Sequence, residues 1–500
     1  MESFKYFPSL EQFREEAKTN NIIPVFRDIL ADTDTPVSAF MKIDDGGESF
    51  LLESVEFGDK WGRYSFLGSS AKAVIRAKDG LVTISGGGKV TERTGDPLAI
   101  LSDYLGGFSM ATLPGVEGLK FAGGVIGFMG YDMVRYIENI PRNPKHKDRS
   151  DELKVDDYCF IQTDTLLAFD NVSHSIKVIC SACVADGADP EAVYNEAIEK
   201  IDALIAKLRA PAPLRINKGG EHLPITSNYR KEDFKAGVAR IKEYIEAGDV
   251  IQTVLAQRFE TGQNVESFDI YRALRVTNPS PYMFFLRMAG IELAGSSPEI
   301  LVALNEGEVT VRPIAGTRPR GRDARSDKAF EDELLSDPKE LAEHIMLVDL
   351  GRNDVGKVSK PGSVEVDQFM VIERYSHVMH IVSNVTGQKL DGLSSFDVLS
   401  SCFPAGTLTG AAKVRSMEII EELEPDGRTT YGGCVGYFDY SGNMDTCITI
   451  RTVLAKDGRL YVQAGAGIVA DSDPEREFEE TVNKSKGVLK AVEMARDGFE

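Results

Sequence analysis

The stretch that decides the fold is residues 447–486, CITIRTVLAKDGRLYVQAGAGIVADSDPEREFEETVNKSK. Its first part contains two strand-like runs, CITIRTVLA and YVQAGAGIV, and Asp473 and Pro474 mark the start of a helix. Strand-like and helical runs in the C-terminal half do not alternate regularly enough for a doubly wound parallel sheet. We therefore predict an α+β fold, with large mixed or antiparallel β-sheets in a sandwich flanked by helices.

The N-terminal half contains shorter strand-like runs, such as SFLLESVEF and AKAVIRAKDGLVTISGGGKVTER, with a few helices between them. The GGGK at 86–89 lacks the features of a phosphate loop and predicts a hairpin turn. A helical run, DPEAVYNEAIEKIDALIAKLRA, then ends in a stretch rich in proline, glycine and polar residues. We place a boundary there, at roughly 210–226, and predict a β-rich region over 1–225 and a second region over 226–500.

The composition excludes several classes of protein. A formal net charge of -21 argues against nucleic-acid or anionic-membrane partners, which are bound through clustered lysine and arginine. No apolar run approaches the roughly 20 residues that span a bilayer, and the first twenty residues resemble no targeting peptide, so we expect the cytosol. The six cysteines form no disulfide framework, and we expect Cys180 and Cys183 to be buried thiols on a strand.

Two predicted helices carry glutamates three residues apart, Glu340 with Glu343 and Glu477 with Glu480, so each pair lies on one helical face. Beside each pair runs an apolar stripe, formed by Leu341, Ile345 and Val348 in the first helix and by Phe478, Val482, Leu489 and Val492 in the second. If both stripes pack on one core, the four carboxylates reach one pocket and suit Mg2+. The spacing alone more often reflects a solvated acidic face, and Lys484 fits either a salt bridge or a site for a substrate carboxylate.

Three turns are rich in small residues, at 314–321, 404–410 and 465–467. Glycine lets the backbone present N–H groups to a ligand, but it serves ordinary turns equally well. The sequence GAGIVA does not have the context of a dinucleotide fingerprint, so we predict no nicotinamide or flavin. His380 fits either a buried core histidine or a general base, whereas His344 and His377 are expected at the surface or as caps.

Taken together, these segments resemble the chorismate-utilising enzyme family, over roughly residues 20–495. Eight motifs occur in the family order, and an ordered set is far more specific than any one member. The motifs are PIAGTRPRG, EHIMLVDLGRND, VMHIVSNV, PAGTLTGAAK, GGCVGYFD, ITIRT, QAGAG and PEREFEETVNKSK.

The resemblance implies a site for each part of the reaction. Mg2+ is expected on Glu343 and Glu480, with Glu340 and Glu477 beside it or bound through water, and catalytic roles are expected for His380, Thr317 and Gln252. Chorismate is a dicarboxylate, so cations and backbone N–H groups are suitable contacts. The implied contacts are Gly316, Thr317, Tyr431, Arg451, Gly465, Ala466, Gly467 and Lys484.

Two positions distinguish the branches of the family. Members that add water have a lysine where Gln252 stands, and an amide cannot deprotonate water. The aminodeoxychorismate branch has a lysine where Ala315 stands, so a covalent lysine route is absent there. Gln252 favours ammonia as the nucleophile, and the two positions together point to anthranilate, with pyruvate as the second product. Aminodeoxychorismate synthesis and a non-catalytic tryptophan- or metal-binding relative remain the alternatives.

The resemblance also implies regulation and a partner. LLES at 51–54 and NPSPYMF at 278–284 resemble the tryptophan-inhibition site of the anthranilate-forming branch, which makes region 1–225 regulatory and region 226–500 catalytic. The implied tryptophan contacts are Glu53, Ser54, Pro281, Tyr282 and Met283. The chain has no nucleophile turn of a glutamine amidotransferase, so a separate glutamine amidotransferase subunit is expected, commonly in a heterotetramer.

Overall fold

Two large β-sheets form the centre of the protein in the computed structural model, which describes residues 6–54, 62–116, 118–142, 153–213, 220–375 and 378–499. Side chains from both sheets meet in one hydrophobic core, where Phe66 of one sheet packs edge-on against Phe121 and Tyr437. Burying these aromatic surfaces between two sheets is the main stabilisation of a β-sandwich.

The strands are β1 Ile22–Leu30, β2 Ser49–Glu53, β3 Tyr64–Ser69, β4 Ala73–Lys78, β5 Leu81–Gly86, β6 Lys89–Thr94, β7 Gly124–Met129, β8 Tyr158–Thr163, β9 Thr165–Asp170, β10 Ser175–Cys183, β11 Thr226–Ser227, β12 Gln252–Gly262, β13 Tyr282–Met288, β14 Ile291–Ser297, β15 Ile300–Asn305, β16 Glu308–Val311, β17 Ile314–Pro319, β18 Glu365–Arg374, β19 Val378–Gln388, β20 Gly410–Ala411, β21 Cys434–Asp439, β22 Met444–Ile448, β23 Thr452–Lys456 and β24 Arg459–Ile468. The helices are α1 Leu10–Glu16, α2 Pro36–Ile43, α3 Pro97–Gly106, α4 Pro190–Arg209, α5 Lys231–Glu246, α6 Ser267–Thr277, α7 Ala324–Ser336, α8 Pro338–Gly356, α9 Ser395–Cys402, α10 Gly406–Thr409, α11 Lys413–Leu423 and α12 Pro474–Arg496, and a 3-10 helix spans Tyr131–Tyr136.

The first sheet has the order β1-β10-β9-β3-β2-β13-β14-β23-β24-β12-β11, with β20 beside β12. The second has the order β17-β19-β16-β15-β22-β21-β7-β8-β4-β5-β6, with β18 beside β19. Neighbouring strands in both sheets pair antiparallel. The predicted α+β sandwich of large sheets flanked by helices is therefore confirmed, and its named strands pair in the antiparallel form.

Both sheets contain strands from each side of the boundary placed at 210–226. In the first sheet β2 pairs with β13, opposing Glu53 to Met283, and in the second β7 pairs with β21, opposing Met129 to Cys434. The chain passes the boundary between the end of α4 at Arg209 and the start of β11 at Thr226, and residues 214–219 of that stretch lie outside the described part. The two regions are thus interlocked through shared sheets.

The two helices with glutamate pairs begin in the same way. The carboxylates of Asp337 and Asp473 accept hydrogen bonds from the first backbone N–H groups of α8 and α12, and a proline fills the first helical position. The buried face of α12 contains Leu489 and Val492 as expected, and Phe478 and Val482 are partly buried. The prediction for α8 was wrong at Ile345, whose side chain is 46% exposed.

Several local predictions are also decided. Gly87 and Gly88 turn β5 into β6 with positive φ angles, which confirms the hairpin at GGGK. Cys180 is buried and Cys183 is partly buried at the end of β10, and both are free thiols. Within the described ranges, no helix combines the length and the apolar character needed to cross a membrane.

Candidate active site

The glycine-rich end of β24 forms the floor of the site. The prediction of a turn at 465–467 was wrong, because these residues continue the strand and pair with β12. Gly467 opposes Val254 and Gly465 opposes Ala256 in the β12–β24 pairing. A Cβ atom on Gly467 would lie 2.4 Å from Nε2 of Gln252, and one on Gly465 would lie 3.0 Å from the Tyr431 hydroxyl oxygen. A larger residue at 465 or 467 would displace these two polar side chains, so glycine at both positions keeps Gln252 and Tyr431 where they are.

Gln252 and Glu343 connect the first sheet to α8. The amide Nε2 of Gln252 donates a 3.4 Å hydrogen bond to Oε1 of Glu343, and Gln252 is buried. Burial raises the pKa of Glu343, an effect that the Gln252 hydrogen bond opposes. Glu340, one turn earlier, accepts a 3.1 Å hydrogen bond from Arg318. Glu343 is therefore the member of this pair that faces Gln252, and Glu340 is paired with the guanidinium of Arg318.

The acidic pair of α12 lies across the same cleft. Glu480 forms a 2.7 Å ion pair with Lys484, whose Nζ also donates a 3.0 Å hydrogen bond to the Gly465 carbonyl. Burial raises the pKa of Glu477. Lys484 lies close enough to both Glu343 and Glu477 to lower the pKa of each. The structure thus brings both helix faces to one cleft.

The four glutamates do not form a closed metal cage. Across the described ranges, no group of three or more His, Cys, Asp or Glu side chains is close enough to hold a metal ion. Their chemistry still fits a hard divalent cation, since Mg2+ takes one or two carboxylates and fills its remaining positions with water and substrate oxygens. A cation between Glu343 and Glu480 would also offset the cost of the partly buried Glu343 charge.

His380 is held in one orientation in β19. Its Nδ1 lies 2.9 Å from the Gly316 carbonyl oxygen and 3.1 Å from the Thr317 hydroxyl. The carbonyl can only accept, so Nδ1 carries the proton in the neutral ring and Nε2 keeps its lone pair. Burial lowers the pKa of His380, as does the charge of Arg451, while the Gly316 carbonyl and the Glu373 charge raise it. His380 is thus a neutral imidazole with a basic nitrogen directed away from the Gly316 turn.

Arg451 supplies a cation directly before β23. It lies at the break that divides the predicted single run CITIRTVLA between β22 and β23, which belong to different sheets. Its backbone has a φ of 49°, in the left-handed region that non-glycine residues seldom adopt. Burial lowers the pKa of Arg451, and the nearby Glu299 raises it. Among the described residues its guanidinium has no hydrogen-bonded or ion-paired partner. Such a fork can bind a substrate carboxylate with two parallel hydrogen bonds.

Glu299 is a residue that sequence reasoning missed. Burial raises the pKa of its carboxyl to about 8, while a 3.0 Å hydrogen bond from Thr407 and the charge of Arg451 oppose the shift. A carboxylic acid that stays protonated at neutral pH can donate a proton. The available signal was a single charged residue in the run GSSPEILVAL, directly before the apolar segment ILVAL. Thr407 lies in α10, whereas the sequence predicted only a turn rich in small residues at 404–410.

The predicted tryptophan contacts line a separate cavity of about 310 Å3. Glu53 lies opposite Met283 in the β2–β13 pairing, so the two sequence segments are neighbours in space. Glu53, Ser54, Pro281, Tyr282 and Met283 all line the cavity. The Tyr282 hydroxyl donates a 3.0 Å hydrogen bond to Asp445, while Glu53 accepts hydrogen bonds from Tyr271 and Arg275. The volume suits a drug-sized or amino-acid-sized ligand.

The sequence also led to expectations for His344 and His377. The expectation that His344 lies at the surface or caps a helix was wrong: it is fully buried on α8, with Nε2 2.6 Å from the Ser383 hydroxyl. Burial lowers the pKa of His344 to about 4. His377 lies outside the described residues.

Comparison with known proteins gives one consistent result. The family model described as chorismate binding enzyme matches residues 55–490. The chain is 46% identical to the anthranilate synthase component 1 of Acetivibrio thermocellus over 98% of this chain and 99% of that one. It is also 46% identical to that of Pseudomonas aeruginosa, over 98% and 99% of the two chains. The structure of anthranilate synthase component I from Streptococcus pneumoniae aligns with a TM-score of 0.76 and 35% identity, covering 92% of this chain and 98% of that one.

Proposed function

Because the chain belongs to the chorismate-binding enzyme family, and within it to the anthranilate synthase component 1 group, we propose that it converts chorismate and ammonia to anthranilate, pyruvate and water. The observation that carries the choice of product is Gln252. Its amide lies in the cleft against Gly467 and Glu343, where a water-adding relative needs a basic amine. Ammonia is its own nucleophile and needs no such base.

Substrate binding follows from the cations and the small residues. Arg451 binds one chorismate carboxylate through its guanidinium fork, and Lys484 supplies a point charge for the second. The backbone of 465–467 lies against the ring, with Tyr431 at its side. Glu343 and Glu480 would hold Mg2+, which would supply Lewis-acid polarisation and orientation of the ring carboxylate.

Two chain residues move protons in the proposed reaction. As ammonia forms a bond to C2 of the ring, the C4 hydroxyl leaves as water with a proton donated by the protonated Glu299, and the ammonium group formed at C2 releases one proton to solvent. Nε2 of His380 then accepts the C2 proton while the bond from C3 to the enolpyruvyl oxygen breaks. The electrons of the C2–H bond enter the ring, which becomes aromatic, and enolpyruvate takes up a proton to give pyruvate.

Regulation and ammonia supply complete the proposal. We assign L-tryptophan to the 310 Å3 cavity, on the support of the neighbouring LLES and PYM segments and of the acidic Glu53 and Asp445 for its ammonium group. Region 1–225 would then be the sensing part and region 226–500 the catalytic part. The ammonia would come from a glutamine amidotransferase subunit, in a heterotetramer.

The test is to incubate the purified chain with chorismate, MgCl2 and ammonium chloride at mildly alkaline pH. Anthranilate fluorescence is followed and the products are identified by mass spectrometry, with and without EDTA and L-tryptophan. We expect anthranilate and pyruvate in equal amounts, none with EDTA and less with tryptophan. An aminated product that keeps its enolpyruvyl group would instead identify an aminodeoxychorismate synthase, and no turnover would leave a binding protein.

Two matched variants test whether Glu343 binds the metal ion. Glu343→Gln removes the charge that faces Gln252, whereas Glu479→Gln makes the same chemical change on the exposed side of α12. A Mg2+ requirement that rises roughly tenfold or more in the first variant and not in the second supports Glu343 as a ligand. Equal requirements in both variants would remove Glu343 from the metal site.

A further inference from the structure

The cavity and the catalytic cleft share a wall. Three residues that line the cavity are close to residues of the proposed active site: Pro298 precedes Glu299, Ile314 is two residues before Gly316, and Tyr375 contacts His380. The Tyr375 and His380 rings lie with centroids 5.4 Å apart at 67°, an edge-to-face contact. Tyr375 is therefore the side chain that touches the cavity on one side and the catalytic base on the other.

Glu373 is hydrogen-bonded to two residues of this shared wall. Its carboxylate accepts hydrogen bonds from the guanidinium of Arg312 and, at 2.9 Å, from the hydroxyl of Tyr375. Both donors line the cavity, whereas Glu373 does not, and its side chain is 27% exposed. Glu373 also lies directly opposite His380 in the β18–β19 pairing. One carboxylate thus connects two cavity-wall residues to the strand position of the base.

The orientation of His380 depends on this contact. The hydrogen bond from Nδ1 to Gly316 fixes one edge of the imidazole, and the Tyr375 ring limits its rotation about that bond. Proton transfer requires Nε2 to lie within hydrogen-bond reach of the substrate proton, so a small rotation of the ring is enough to slow the reaction.

We propose that Glu373 and Tyr375 form a positioning relay through which a ligand in the cavity misaligns His380. The relay rests on the proposed function for the identity of that ligand, L-tryptophan, and deepens it by naming the residues that carry the inhibition. A ligand that displaces the Tyr375 ring moves the surface against which His380 packs. Reciprocity applies to binding alone: any loss of chorismate affinity on tryptophan binding is matched by an equal loss of tryptophan affinity on chorismate binding, whereas turnover lost through a misplaced His380 carries no such requirement.

Glu373→Gln tests the relay without changing a cavity-lining side chain. The dissociation constant of L-tryptophan is measured by calorimetry without chorismate, and the half-inhibiting concentration is measured at saturating chorismate. We expect the first to stay within about threefold of wild type and the second to rise by roughly tenfold or more. The acid limb of kcat/KM against pH should also move to lower pH. Three charged or titratable groups face His380, namely Arg451, Tyr375 and Glu373. Of these, Glu373 is the one whose charge raises the pKa of His380.

Two further variants make the test decisive. Tyr375→Phe keeps the ring against His380 but loses the hydroxyl bond to Glu373, and we expect it to weaken inhibition in the same direction. Glu365→Gln makes the matched change on an exposed residue of the same strand and should leave both constants unchanged. If Glu373→Gln does not fold, judged by circular dichroism, Tyr375→Phe decides.

The outcomes separate the two proposals. Wild type that forms no anthranilate or binds no tryptophan overturns the proposed function and the relay with it. Wild type that does both, with inhibition retained in Glu373→Gln and Tyr375→Phe, overturns the relay alone. Binding and inhibition constants that weaken in parallel in these variants also overturn it, because the residues would then act only on tryptophan binding.

Discussion

At the scale of single residues, His380 shows how one hydrogen bond supports the proposed role of a catalytic base. The Gly316 carbonyl fixes the proton on Nδ1 and leaves Nε2 as the base, while burial keeps the ring neutral by lowering its pKa. The sequence alone left His380 open between a core residue and a base. Only the carbonyl partner, which comes from a turn 64 residues earlier in the chain, distinguishes them.

Replacing this base should slow turnover far more than it weakens binding. We expect His380→Gln to lower kcat by about 100- to 10 000-fold, because an amide cannot accept the C2 proton. In wild type, kcat/KM should fall only below the ordinary histidine range as pH decreases, since the unprotonated form is active and the pKa of His380 is lowered. Steady-state anthranilate assays across pH measure both effects. His222→Gln, on an exposed histidine paired with Asp497, is the control and should change neither.

Gly467 is the second residue at which a substitution should change activity. Gly467→Ala places a methyl group 2.4 Å from Nε2 of Gln252, so the amide must move away from Glu343. We expect a loss in kcat/KM for chorismate of roughly tenfold or more, by analogy with misplacement of a reacting group. Gly487→Ala, on α12 with open space around it, should leave activity unchanged and stabilise the helix by about 0.5–1 kcal/mol. Full activity in Gly467→Ala would mean that Gln252 does not need its present position.

At the scale of elements, α8 and α12 show what a helical pattern can and cannot predict. Their aspartate caps, prolines and glutamate pairs were readable because they depend on residues within one or two turns. The exposure of Ile345 and the burial of His344 were not, because they depend on how α8 is rotated against β17 and β19. Glu299 was missed for a related reason, since only its burial beside Thr407 and Arg451 makes that carboxyl a proton donor.

His344 gives α8 a dependence on pH that can be measured. Its pKa is about 4 in the folded protein against 6.5 for the free side chain, so the unfolded chain binds a proton that the folded chain does not. Stability should therefore fall by about 3 kcal/mol as pH decreases from 6.5 to 4. Urea unfolding at several pH values measures this slope. His344→Gln should be less stable near neutral pH, and its free energy of unfolding should fall less steeply as pH decreases. An identical slope in both proteins would contradict the assignment.

At the scale of the whole molecule, both sheets depend on both ends of the chain. β2 lies between β3 and β13, and β7 lies between β21 and β8. The sequence indicated strand-rich regions and a boundary near 210–226, but strand pairing across that boundary has no local signal. Register between strands more than two hundred residues apart is set by the shared core.

Shared sheets predict cooperative unfolding. We expect urea to unfold both regions in one transition, because removing β2 exposes the edge of β13 and removing β7 exposes that of β21. Hydrogen exchange read by mass spectrometry should show peptides from β2, β7, β13 and β21 losing protection at the same urea concentration. Protection lost from β2 and β7 well before β13 and β21 would contradict this and show that region 1–225 unfolds by itself.

The position of β2 inside the first sheet limits how this protein can be altered by evolution or by engineering. A receptor domain joined by a hinge can be deleted to leave an unregulated catalyst. Here the strand that ends in Glu53 at the cavity is also a central strand of the sheet that carries Gln252 and residues 465–467 of β24. Cutting it away would divide the catalytic framework. Variants with relaxed control should therefore arise from single substitutions in the cavity wall, and shortened chains should be lost as unfolded protein.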